Sequence, residues 1–560
     1  MKFAIAKSLK KEVKLSQKEI EYLIEIPPSS AMGDFAFPCF ALAKQMKKSP
    51  NQIAQDLKSK IKIPEGFNYV DVAGPYLNFT LDRKKFSRGI VEEILKKKGK
   101  FGSSDLGKGK KVMVEFPSPN TNKPLHIGHL RNMAIGESAS RILEFIGDKI
   151  VRSNLNNDRG IHICKSMVAY QKFGKGKKPH KKTDHFVGDF YVRFNEEYKK
   201  DKNIEEEAKE CLRKWEAGDK KTIEVWKKMN KWALDGFQET YNLFGIKHDK
   251  NYYESKIYKN GKEIINEGLK KKIFTKGKEG EIKINLEKEG LGEKILLRSD
   301  GTSVYITQDL YLAKLKDKDF GLDGSIYVVG NEQEYHFKVL FSILKKLKFK
   351  FTNNLHHLSY GMVNLPEGRM KSREGKIVDA DDLILEVQKL VKENLELRDK
   401  LSKKELELRS LIITLSAIKY FLLKVDSKRD MLFNPKESIS FEGDTGPYLL
   451  YAYARASSIL KKSGARKKSF SMEELEPAEI ELTKKLSQFP EIVLNAYKNY
   501  NPSLIANYSY ELAKIFNEFY HVCPVIHSQQ KDFRLNLVEA FKIVLKNSLN
   551  LLGIETLEEM

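Results

Sequence analysis

The sequence predicts an α/β protein: a parallel-sheet domain carrying an insertion, a small α/β domain before it and an all-α bundle after it. Three observations carry this prediction. From Lys111 short apolar stretches alternate with helical ones, the pattern of a parallel sheet covered on both faces. Between about residues 165 and 285 the texture changes to a basic loop and long charged helices, which read as an insertion in that sheet. From about residue 380 helices with wide apolar faces follow one another, as in a bundle. At 560 residues the chain is too long for one core. The expected domains are residues 1–107, 108–385 and 386–560.

The first domain opens with a loop and amphipathic helices in GDFAFPCFALAK and the residues after it. YVDVAGPYLNFTLD then reads as strand, turn, strand. KKKGKFGSSDLGKGKK, rich in Gly, Ser and Lys, is a plausible linker. In the second domain the strands expected are KVMVEF (Lys111–Phe116), DKIVRSNL, GSIYVVG and TSVYIT. KFGKGKKPHKKTD is a basic loop inside the insertion. LRSLIITLSAIKYFLLKV and TGPYLLYAYARASSILKK belong to the bundle, with two further helices near the C-terminus.

Composition narrows the function classes. No run of about 18 apolar residues occurs, so no transmembrane helix is expected. The N-terminus turns charged at once and lacks the apolar centre of a signal peptide, so a cytoplasmic protein is expected. Cys39, Cys164, Cys211 and Cys523 are far apart in sequence and form no C-x-x-C pair, which argues against a disulfide framework or a structural zinc. Lysine plus arginine outnumber acids 100 to 76, a formal charge of +24 that favours a polyanionic partner. A lysine-rich proteome would give the same bias, so charge alone does not decide.

PSPNTNKPLHIGHLR (residues 117–131) follows KVMVEF and leads into a stretch with helical spacing. A helix N-terminus after a strand offers unpaired N–H groups and a partial positive charge, which suits phosphate. Gly128, lacking a side chain, lets a flat ligand lie against the backbone. His126 and His129 are three apart, so they are expected to share a face and point at one bound group. Histidine donates to phosphate oxygens without a fixed charge. Metal binding by the pair lacks a nearby third ligand.

The longer string EFPSPNTNKPLHIGHLRN resembles the HIGH signature of the class I aminoacyl-tRNA synthetases, and its Ser-Pro-Asn and Lys-Pro elements resemble the arginyl-tRNA synthetase family. GMVNLPEGRMKSREGKIV (361–378) lies where that class carries its second signature, a basic loop suited to charge on a leaving diphosphate. It departs from the pattern: Arg369, Lys371 and Arg373 are present, but the second signature lysine has no clean equivalent, and Lys123 is the substitute cation that the resemblance implies. FEGDTGPYLLYAYARA looks like the family's anticodon-binding bundle, and GDFAFPCFALAK and GPYLNF look like its N-terminal domain, which touches the tRNA elbow. The resemblance thus implies a Rossmann-type catalytic domain between two tRNA-binding domains.

A site for free arginine must hold a guanidinium that stays charged, with carboxylates of fork-like geometry and an aromatic wall. The resemblance offers the candidates. Glu115 and Asn120 would hold the α-amino and backbone end of the amino acid. Tyr305 and Asp309, four apart and so on one face of a helix, would meet the guanidinium, with Glu254 in YYESK as a second carboxylate and Gln333 completing the pocket. Read without the resemblance, Glu115 could cap a helix, Tyr305 could be core and Asp309 a surface acid. Tyr448 and Tyr451 would stack on anticodon bases if exposed, or pack in the bundle. Asn78 would contact the tRNA D-loop by analogy, or serve in a turn.

The activity implied is arginine–tRNA ligation, with ATP and its Mg2+ as substrate, L-arginine and tRNA(Arg) as partners, no zinc, no membrane and a monomeric state. The alternative is a non-catalytic tRNA-binding paralogue, which would keep the basic surface and the bundle but lose the site.

Overall fold

A five-stranded parallel sheet organises the larger part of the chain. The computed structural model describes residues 1–29, 32–366, 378–397, 401–464 and 470–560. These fall into two units, one of Met1–Lys98, Ile459–Gln488 and Ile515–Val544, the other of Gly99–Ser458, Phe489–Lys514 and Leu545–Met560.

In the first unit β1 (Phe35–Pro38), β2 (Phe67–Ala73) and β3 (Tyr76–Leu81) form an antiparallel sheet in the order β1-β3-β2. The expected strand–turn–strand is the β2–β3 hairpin, turned at Gly74 with φ +57°. Its core is built on Ile5, Leu9, Ile20, Phe37, Leu57 and Phe79. Ser49 starts the Pro50–Lys60 helix with a capping box to Gln52. The buried Asp34 accepts from the Leu81 amide (2.8 Å) and pairs with Lys484 (2.6 Å). Phe516 stacks on Phe541 at 3.7 Å, and the buried Arg534 and Glu479 pair at 2.7 Å.

In the second unit β4 (Lys111–Glu115), β5 (Lys149–Asn156) and β6 (Lys250–Tyr253) run parallel. β7 (Thr275–Lys276), β8 (Ile282–Leu286) and β9 (Gly292–Leu297) make a separate antiparallel sheet. β10 (Gly324–Gly330) and β11 (Leu355–Tyr360) complete the parallel sheet, in the order β11-β10-β4-β5-β6. After β4 the chain adds strands on one side, then returns to add β10 and β11 on the other. The carboxyl end of β4 is therefore a topological switch point, where ligands bind in open α/β sheets. The mostly helical C-terminal part includes Lys403–Lys424, Gly446–Ser463, Pro477–Asn499, Ser503–Val522 and Lys531–Leu551.

Two differences from expectation have physical reasons. TSVYIT is not a strand: Ser303 makes one bridge to Leu297, and Tyr305 opens a helix that runs to Phe320. Its short apolar run is ambiguous between the two periods, and Ile306, Leu310 and Ala313, buried at helical spacing, decide it. β6 and β11 were not among the expected strands, β6 lying within the stretch read as an insertion. Both are edge strands, KNYY and LHHLSY, and an edge does not need the continuous apolar run of a central strand. Among the described residues no helix is long and apolar enough to cross a membrane, and all four cysteines are free and buried.

Candidate active site

The turn after β4 is held by β5. Asn154 Oδ1 accepts from the Ser118 amide (3.1 Å) and Asn157 Nδ2 donates to the Ser118 carbonyl (2.9 Å). The Asn157 amide donates to Pro119 and the Thr121 amide to Asn157, so Asn120 pairs with Asn157 in a parallel bridge. The pairing of β4 with β5 thus resumes beyond Glu115 and carries the chain to the exposed Asn120 and on to Lys123.

The expectation that His126 and His129 share a helix face is corrected in detail. His126 is the N-cap of the Ile127–Phe145 helix, outside it, while His129 is its third residue. His126 Nδ1 accepts from the Gly128 amide (3.2 Å), and His129 Nδ1 accepts from the His126 amide (3.1 Å). The rings still come together, with centroids 3.8 Å apart. A backbone N–H on each Nδ1 leaves the proton on each Nε2, so both rings present a donor. Burial, with Lys123 nearby, pushes the His126 pKa down to about 4 and that of His129 well below the usual value, so both are neutral near pH 7. Gly128 also makes room for the cap ring: a Cβ there would lie 3.0 Å from His126 Cε1, a tight contact. Burial also lowers the Lys123 pKa, and among the described residues Lys123 has no carboxylate partner. Two neutral donors, an ammonium without a carboxylate partner among the described residues and a helix N-terminus are together suited to an anion.

The carboxylates expected for an amino acid are each already faced by a basic side chain of the protein. Glu115 pairs with the fully buried Lys316 at 2.5 Å, and that ammonium also lies 4.6 Å from the Tyr327 ring centroid. Glu115 lies at the end of β4, not at a helix start. Glu254, the residue after β6, lies 3.6 Å from Arg159, whose guanidinium covers the Tyr258 ring at 4.0 Å. Burial raises the Glu254 pKa to about 7 against the pull of Arg159. Asp309 meets His336 Nε2 at 2.6 Å, a bond that raises the His336 pKa. Tyr305 and Asp309 do lie on one helix, and Tyr305 is 80% exposed, so it is not core. Gln333 ends a short 3-10 turn after β10 and is exposed.

Sequence reasoning missed the residues that hold this arrangement. Arg131 is fully buried and donates to the carbonyls of Gly361, Met362, Ser427 and Arg429 at 2.7–3.2 Å, tying the helix to two distant segments. Asn132 donates to Val328 O (2.6 Å) and Tyr360 Oη (3.1 Å). The available signal was a charge and an amide in an otherwise buried helix. Arg159, Lys316 and His336 gave none, since each acquires meaning only from its partner.

The residues named for tRNA fall in different settings. Tyr451 is 38% exposed with the Arg455 guanidinium over its ring at 4.7 Å, while Tyr448 is half-buried against Tyr510. Asn78 is buried within β3, so its turn alternative falls. Arg369, Lys371 and Arg373 lie outside the described residues.

A parallel sheet with this histidine pair at its switch point, joined to a C-terminal helical part, is the architecture of a class I tRNA synthetase. The model of the class I (R) tRNA synthetase catalytic domain matches residues 90–434, that of the DALR anticodon binding domain residues 449–560, and that of the arginyl tRNA synthetase N terminal domain residues 1–81. The arginine–tRNA ligase of Treponema denticola is 47% identical over 559 residues, covering 96% of this chain and 94% of the relative. That of Treponema pallidum subsp. pallidum is 43% identical over 561 residues, covering 96% and 95%. The solved Thermus thermophilus arginyl-tRNA synthetase superposes with a TM-score of 0.84 at 28% identity, covering 100% of this chain and 99% of that one. The chain belongs to the arginyl-tRNA synthetase family.

Proposed function

We propose that the protein is an arginine–tRNA ligase that joins L-arginine to ATP, giving arginyl-adenylate and diphosphate, and then transfers the arginyl group to the 3′ end of tRNA(Arg), releasing AMP. The observation that carries this reading is the pair of neutral, backbone-locked histidines beside a lysine without a carboxylate partner among the described residues, at the switch point, in a chain of this family. MgATP is the substrate form, its magnesium held by phosphate oxygens. Lys123, His126 Nε2 and His129 Nε2 take the phosphates at the helix N-terminus. Glu115 and Asn120 hold the α-amino and backbone end of arginine, and Asp309, Glu254, Tyr305 and Gln333 surround its guanidinium.

A carboxylate oxygen of arginine attacks the α-phosphorus, and the bond to the bridging oxygen breaks in line as diphosphate leaves. The two imidazoles donate to oxygens on which charge grows, without bringing a charge that would bind the ground state equally well. The terminal ribose hydroxyl of tRNA then attacks the arginyl carbonyl carbon, loses its proton and displaces AMP. No protein nucleophile takes part. Arg369, Lys371 and Arg373 supply cations for the leaving diphosphate. Residues 1–107 meet the tRNA elbow and residues 386–560 meet the anticodon through the exposed Tyr451, and the protein works as a monomer in the cytoplasm.

The test is exchange of labelled diphosphate into ATP, with and without tRNA, across the twenty amino acids. Exchange with arginine supports the reading. Exchange with another amino acid moves the pocket assignment, and none at all beside tight tRNA binding makes the chain a tRNA-binding paralogue.

A further inference from the structure

Beyond the signature residues, one polar cluster reaches the histidine site from the helix Thr183–Lys200. Val378–Ala380, where the chain returns after the second signature, lies antiparallel to Leu125–Ile127. The Ile127 amide donates to Val378 O and the Ala380 amide to Leu125 O, both at 3.0 Å, with His126 and Asp379 opposite one another. Asp379 then caps the helix Ala380–Glu396 by accepting from the amides of Asp381 (2.9 Å) and Asp382 (3.3 Å). Three groups of the insertion grip this return. Lys182 Nζ donates to Asp381 Oδ2 (2.7 Å), His185 Nε2 lies 3.1 Å from the same oxygen and 3.5 Å from Asp379 Oδ1, and the Thr240 hydroxyl donates to Asp381 Oδ1 (3.0 Å).

The cluster is closed on itself. Lys182 also reaches Asp184 (3.0 Å) and Thr240 (2.8 Å), so its ammonium supplies the cation that Asp184, His185 and Asp381 would otherwise offer a metal. The same helix touches the site from a second side. A Cβ on Gly188 would lie 2.6 Å from Pro124 Cδ and 3.6 Å from Lys123 Cα. One helix therefore abuts the segment carrying Lys123 and grips the strand opposite His126.

We propose that the first turns of the helix Thr183–Lys200 position the nucleotide site, with Lys182 and His185 as positioning residues that act through Asp379 and Asp381 on His126, and Gly188 setting the approach of Lys123. This rests on the assignment of Lys123, His126 and His129 to the phosphates of ATP. The three positioning residues face Asp379, Asp381 and Pro124. Their effect is on where the donors stand, and small displacements of a catalytic group lower rate steeply.

The experiment is diphosphate exchange by the full chain with tRNA, comparing wild type, His185→Ala, His185→Gln and Gly188→Ala, with melting followed by circular dichroism. In His185→Ala, kcat/KM for ATP should fall about tenfold or more while KM for arginine stays within about twofold. His185→Gln keeps a donor toward Asp381 and should recover most of the loss. Should His185→Ala not fold, Gly188→Ala is expected to give the same split by forcing Pro124 back. ATP parameters within about twofold of wild type, or equal losses for ATP and arginine, overturn the proposal while leaving the ligase reading intact. Wild type inactive with every amino acid defeats the ligase reading, and this proposal with it.

Discussion

The two ends of the candidate site are built on opposite terms. At the nucleotide end His126 and His129 are locked by backbone amides, and Lys123 is a cation with no carboxylate partner among the described residues. At the amino-acid end the balance is reversed: Glu115, Glu254 and Asp309 already face Lys316, Arg159 and His336. On the assignment proposed above, one end would receive an anion with its donors fixed, and the other would exchange an internal basic group for the guanidinium or share a carboxylate with both. A ligand at the first end gains from preorganisation, whereas at the second it is selected by competition, which a weaker or misshapen cation loses.

The most severe way to break the comparison is at the fixed end. Changing both His126 and His129 to alanine should lower kcat for diphosphate exchange by about 10²–10³-fold, the size of a lost oxyanion-type donor, with tRNA binding in a filter assay nearly unchanged. Unchanged exchange would mean that the lock serves the helix and not the reaction. Next, Asp309→Asn should weaken arginine by about 1.5–3 kcal/mol, read as a higher KM for arginine with KM for ATP nearly constant, because a charge-assisted bond is lost at the open end alone. Equal loss for both substrates would make Asp309 structural. Third comes pH. The Glu254 carboxyl has its pKa raised to about 7, so it loses its charge as pH falls through 7, and kcat/KM for arginine should fall from pH 8 to pH 6. Glu254→Gln should remove that dependence, leaving a lower, flatter profile. The smallest effect is expected for Tyr305→Ala. This ring is 80% exposed, and a cation–π contact at such a site is worth about 0.5–1 kcal/mol in arginine affinity by calorimetry.

What could be read from the sequence followed how local each signal is. The class of fold was legible because the central strands β4, β5 and β10 are short apolar runs and the bundle helices are long. The edge strands β6 and β11, with their tyrosines and histidines, had no such signature. His126, Gly128 and His129 were legible because four adjacent residues carry the pattern, though the close approach of the His126 ring to Gly128 was not. Lys182 lay in the basic loop and His185 just after it, with no local sign of a partner, since Asp381 lies 199 and 196 residues away from them. The pairing of Glu115 with Lys316 was hidden in the same way: a lysine in an amphipathic helix gives no hint that it is buried.

Arg131 bears on how the chain is made. Among the described residues its guanidinium donates to carbonyls of Gly361, Met362, Asp426, Ser427 and Arg429, the last of them 298 residues downstream. On a ribosome the signature helix emerges early, yet its arginine has nowhere to be buried until the chain has been extended past Arg429 and has cleared the exit tunnel. The anchoring of the signature helix is therefore completed late in synthesis, and a chain released before that point carries the signature without the contacts that anchor its helix.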